Sequence, residues 1–96
     1  MTIYVMLGNL KSSAFEKFDD IEERDKKAKK VVESLGGKMI SLFYTFGRYD
    51  FVAIIDMPSK ENMVKFISIV AKFGTVQTET LETVSPDVIY KIAKEV

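Results

Sequence analysis

A guanidinium, a phenol and a carboxylate stand in a row at Arg48, Tyr49 and Asp50, directly after Gly47. Such a set offers a charged clamp for a carboxylate or phosphate, a phenolic donor and acceptor, and an acceptor for an amine or hydroxyl. Tyr44, shortly before the glycine, adds a second phenol with an apolar body and one polar tip. Tyr44, Arg48, Tyr49 and Asp50 are therefore the candidate ligand-binding residues. Each also has a plain structural reading. Gly47 supplies a positive φ to a hairpin, Asp50 accepts backbone N–H groups and closes the turn, Tyr49 packs beside the hairpin, and Arg48 is solvated.

No catalytic motif is complete, and no catalytic residue is assigned. The 96 residues include no cysteine, histidine or tryptophan. Disulfides, thiol nucleophiles and Ser-His or Cys-His mechanisms are excluded, as are imidazole and thiolate metal sites. No calcium-type oxygen loop is present, so neither metal nor cofactor is expected. Proton transfer near neutral pH falls to a shifted Asp, Glu, Lys or Tyr. The minimal pair read from the sequence is Asp50 or Glu79 buried beside Tyr44.

Lys+Arg and Asp+Glu are both 14, a net charge of zero. Nucleic acid and anionic membranes would call for a basic excess or stripe. The run Lys26-Lys27-Ala28-Lys29-Lys30 follows an acidic stretch and reads as a solvated helix face with i,i+4 pairs. No apolar run approaches the roughly 18 residues of a membrane span. The opening residues lack a charged leader region. A cytoplasmic chain is expected. With 47% hydrophobic and 29% charged residues, it reads as one globular domain over 1–96.

The elements that must position these groups follow from periodicity and punctuation. Residues 3–8 read as a strand ending at Gly8-Asn9. Ser13 to Glu16 fits a capping box, and the stretch 11–19 is either a separate helical turn or a loop. Ile21, Ala28, Val31, Val32 and Leu35 mark a helix face stopped by Gly36-Gly37. Residues 39–46 and 51–56 form a hairpin around Gly47–Asp50. Ser59 caps a helix with the buried stripe Met63, Phe66, Ile67, Val70 and Phe73, ended by Gly74. Thr-rich residues 76–83 give a half-exposed strand. Ser85-Pro86 opens a short C-terminal helix carrying Val88, Ile89, Ile92 and Val96.

The order β-α-β-β-α-β is the α+β, ferredoxin-like arrangement, with strands one and three central in a four-stranded antiparallel sheet. Both central strands are apolar on both faces. Two helices cover one face only, which leaves the other showing Tyr4 or its neighbours, several aliphatics and strand-two aromatics. A face-to-face homodimer is the expected solution. A C-terminal helix folded back over that face is the alternative. Tyr4, Phe43 and Tyr44 are expected as interface or core aromatics.

Nearly the whole chain resembles the GYD-domain family, small proteins of the dimeric α+β barrel type. The carriers are Ile3-Tyr4-Val5-Met6-Leu7, Leu35-Gly36-Gly37-Lys38, the block Tyr44-Thr45-Phe46-Gly47-Arg48-Tyr49-Asp50-Phe51-Val52-Ala53-Ile54, Gly74-Thr75-Val76 and Thr78-Glu79-Thr80-Leu81. The resemblance implies the fold and a dimer, but little about activity. Residues 47–55 and 74–80 are also similar to the effector-binding domain of leucine-responsive, feast/famine regulators. There the matching loop lies near a small-molecule site at a subunit interface. No helix-turn-helix precedes it here. The functional expectation is a homodimeric, non-catalytic module that binds or senses a small molecule. The alternatives are a cofactor-independent enzyme, oxygenase- or decarboxylase-like, and a purely structural assembly protein.

Overall fold

Alternating apolar residues in two segments set the centre of the sheet. In the computed structural model, which describes residues 2–96, β1 (Thr2–Leu10) pairs antiparallel with both β3 (Phe51–Met57) and β4 (Val76–Glu82), and β2 (Lys38–Tyr44) pairs with β3. The order is β2-β3-β1-β4, the ferredoxin-like topology expected from the sequence. Helices α2 (Ile21–Ser34) and α3 (Lys60–Phe73) cover one face. The stretch before α2 is a separate short helix, α1 (Ser12–Glu16), and a 3-10 turn at Phe18–Asp20. The final helix, α4 (Pro86–Glu95), follows β4. No helix among the described residues is long and apolar enough to cross a membrane.

The core lies between the helices and one sheet face. Tyr4 and Met6 of β1 meet Ala53, Ile55 and Met57 of β3, Val32 of α2, and Met63, Phe66 and Val70 of α3. Each large side chain buried there contributes roughly 1.5–3 kcal/mol. Period two sends the intervening residues to the other face. Ile3, Val5 and Leu7 lie beside Val52 and Ile54, with Phe43 and Leu81 toward its edges. Phe43 is 61% exposed and Leu81 46%. No element among the described residues covers this face, which accords with the two-faced central strands.

Tyr4 belongs to the helix-covered side and is only 4% exposed, so it is a core aromatic rather than part of the open face. β1 continues beyond Gly8 to Leu10, where it still pairs with β4, and the Phe51 ring lies over Gly8 and fills the space a side chain would take. β2 ends at Tyr44, leaving Thr45 and Phe46 to the loop, and carries a bulge between Met39 and Ser41 that turns Ile40 outward. Ser13 makes no N-cap bond. It sits inside α1 and its hydroxyl donates to the Gly74 carbonyl at 3.0 Å. Phe73, expected in the α3 stripe, is 40% exposed beneath the Lys27 ammonium. Ser59 and Ser85 cap α3 and α4 as their sequences imply. Lys26 pairs with Glu22 and Glu23 on the α2 surface.

Candidate functional site

The loop 45–50 is held from both sides of the sheet end. Thr45 N donates to Asp50 O at 2.8 Å, and the Thr45 hydroxyl donates to Tyr49 O at 2.6 Å. Gly47 takes φ +114°, which a side chain would strain. Asp50 extends the pairing with β1: its N–H donates to Gly8 O, and its Oδ2 accepts from Leu10 N, both at 2.8 Å. The carboxylate thus satisfies a backbone donor where the β1–β3 ladder ends. Tyr49 reaches across toward Glu79 Oε2, 3.4 Å from its hydroxyl. Arg48 is exposed.

Tyr44 points elsewhere. It sits at the end of β2 on the helix side, ring edge-on to Phe51, and its hydroxyl donates to Asp25 Oδ2 of α2 at 2.6 Å. Behind this pair lies a cavity of about 80 Å³ between the helices and the sheet. Its walls are apolar, built by Met6, Met39, Leu42, Ala53, Phe66 and Val70 among others. Arg24, Asp25, Tyr44 and Thr75 are its polar boundary, and the Arg24 guanidinium is engaged by the Ala14 carbonyl at 3.2 Å. A second, open groove of about 550 Å³ runs between α2 and the β2 edge, and Ile21, Asp25, Met39, Leu42 and Tyr44 line both spaces. Asp25 and Tyr44 therefore stand where the groove meets the cavity.

The electrostatics follow from that position. Burial raises the Asp25 carboxyl above its ordinary value, against the opposing pull of the Tyr44 hydrogen bond. Burial, then the hydrogen bond to Asp25 and its charge, raise the Tyr44 phenol well above its own. The outcome is a protonated phenol gripping a half-buried carboxylate, with one apolar chamber behind it. Such a pair can orient a ligand that carries a donor and an acceptor on a short apolar body, and it can exchange a proton with that ligand.

Of the four candidates from the sequence, Tyr44 lines the cavity, whereas Arg48, Tyr49 and Asp50 gather at the sheet end. The carboxylate beside Tyr44 is neither Asp50 nor Glu79. Asp50 is held by the Leu10 N–H, and Glu79 faces Tyr49 on the open side. Asp25 takes that place, 19 residues from Tyr44 in sequence. A signal for it was available: Asp25 falls at i+4 from Ile21 and i−3 from Ala28, which puts an acid inside the apolar stripe of α2.

The chain belongs to the GYD domain family, whose model matches residues 4–93. No curated protein matches the sequence. Among solved structures it is similar to FFRP-DM1 (14% identity, TM-score 0.63, covering 88% of this chain and 100% of that one). It is also similar to MtbAldR (15%, 0.63) over 88% of this chain and 53% of that one, so it spans about half the length of MtbAldR. A third is At3g17210 from Arabidopsis thaliana (15%, 0.62), covering 88% and 95%. At these identities the likeness is one of fold.

Proposed function

We propose that this GYD domain is a homodimeric small-molecule-binding module whose ligand site is the cavity behind Asp25 and Tyr44. The observation that carries this reading is an apolar chamber with a single carboxylate–phenol pair at its opening. Ligand sites combine apolar walls with a few convergent polar groups in this way. At about 80 Å³ the chamber is smaller than the ~150 Å³ of an apolar cavity that takes benzene. It suits a short alkyl chain rather than a ring, with its hydroxyl, amine or carbonyl group left at the Asp25–Tyr44 pair. Arg48, Tyr49 and Asp50 join a ligand site only where a second subunit supplies a facing wall.

Thermal shift with millimolar butanol, butylamine and butanone tests the reading. A ligand that binds only the folded state raises the melting temperature. At least one of the three is expected to stabilise the protein, and Ala28→Leu, which fills the chamber, to abolish the shift. No shift with any probe, or an unchanged shift in Ala28→Leu, contradicts it.

A second reading rests on the raised Asp25 carboxyl at 2.6 Å from a phenol. Such a carboxylate can act as a general base toward a carbon acid bound in the chamber. Deuterium exchange at the carbons flanking the butanone carbonyl in D₂O reads this directly. Exchange that the wild type accelerates and Asp25→Asn does not supports the enzyme; exchange at the buffer rate excludes it for this class of substrate.

A further inference from the structure

Helix α4 is amphipathic and has no buried residue. Val88, Ile89 and Ile92 are each about half exposed, and they fall on one stripe with Val96 at i, i+1, i+4 and i+8. The groove between α2 and β2 is the complementary feature. It is lined by Ile21, Met39, Leu42 and the exposed Ile40 at the β-bulge, together with Glu22, Lys26 and Lys29 of α2, and it opens onto the cavity at Asp25 and Tyr44. Stripe and groove sit on opposite edges of one sheet, because β4 and β2 are the outermost strands. They do not meet within one chain: no α4 residue lines the groove and none is buried. Three strand spacings come to ~14 Å, while Thr83 is pinned to the Ile3 carbonyl by both its N–H and its hydroxyl. Only Val84 and Ser85 are left as a tether, a reach of about 7 Å.

We infer that α4 of a second copy of this chain seats in the α2–β2 groove and closes the opening of the ligand cavity. The inference rests on the homodimer of the reading above and adds the partner's helix as a wall of the site. Two sheets stacked by their open faces on a twofold axis parallel to the strands place β4 of one copy beside β2 of the other. The two edges then run antiparallel, and α4 emerges at the Lys38 end of its partner's groove. The lengths agree: ten helical residues span about 15 Å, and Met39 to Tyr44 spans about 17 Å of strand. Each chain supplies one helix and one groove, so the twofold closes the contact and leaves none for further growth.

The absence of cysteine makes the test clean. Ile40→Cys and Ile92→Cys are introduced together, oxidised, and compared with each single variant; light scattering gives the unoxidised mass. The expected result is a dimer in solution and a covalent dimer on oxidation of the double variant only, with slower release in that species of whichever of butanol, butylamine and butanone gives the largest thermal shift. A monomer by light scattering overturns the dimer and this inference with it. A dimer whose double variant forms no covalent species, or forms an intramolecular bridge, overturns the α4 docking alone. The chain truncated after Thr83, which loses no core residue, is a second readout. It is expected to keep its fold and to release that same probe at least tenfold faster; unchanged release contradicts the lid.

Discussion

Asp25 and Asp50 are two carboxylates in opposite circumstances. Asp50 satisfies the Leu10 N–H, so Asp50→Ala leaves a donor without its partner at the end of the central ladder. A loss of roughly 1–3 kcal/mol is expected, read as a lower urea midpoint at unchanged slope, while Asp50→Asn, which keeps an acceptor oxygen, loses less. Equal losses in the two variants would show that the bond is not the cause. Asp25 carries a raised carboxyl, so the folded chain holds its proton more tightly than the unfolded one. Its contribution to stability is greatest below the unfolded value and declines as pH rises through the folded one. Asp25→Asn has no charge to desolvate and still accepts from Tyr44. Its melting temperature is expected to gain on that of the wild type from about pH 4 upward, whereas a pH-independent difference contradicts the burial of this carboxyl. That Asp50 would accept a backbone N–H was legible from the sequence, but its donor is Leu10 of β1 rather than the turn itself, beyond the Gly8 at which the pattern ends that strand. The role of Asp25 was harder to read, since it depends on which way α2 rolls on the sheet.

At the scale of elements, the strands could be read because period two was unbroken in β1 and β3, and Gly36, Gly47 and Gly74 take the positive φ that a stop or a turn requires. The boundaries that moved did so for tertiary reasons. Gly8 looks like a terminator, yet the Phe51 ring lies against its backbone and the strand runs through it. A Cβ at Gly8 would lie 2.1 Å from that ring. Gly8→Ala is expected to cost about 1–3 kcal/mol through overpacking, and Phe51→Leu in the same background to recover part of the loss, the two changes being strongly non-additive. Additive effects in chemical denaturation would show that ring and glycine do not share the space. The bulge in β2 and the short α1 leave no comparable mark in the residue pattern; Ser13 of α1 is tied instead to the Gly74 carbonyl, 61 residues away.

The molecule extends 53 × 31 × 18 Å, with an apolar sheet face and an apolar helix stripe both turned outward. The exposed face was legible in the sequence, since two helices cannot cover two sides of a sheet. The cavity was not, because its walls come from α2, α3 and all four strands and exist only once these are packed. The proposed function stands on that cavity, and the methionines report on it without disturbing it. Met6 and Met39 line the chamber, while Met57 and Met63 are buried in the same core outside it. The most direct measurement is a titration of butanol, butylamine and butanone followed through ¹³C-labelled methionine methyl resonances. The account predicts saturable shifts at Met6 and Met39, with Met57 and Met63 nearly still, and loss of the shifts in Ala28→Leu. Flat titrations with all three probes, or movement led by Met57 and Met63, would contradict it.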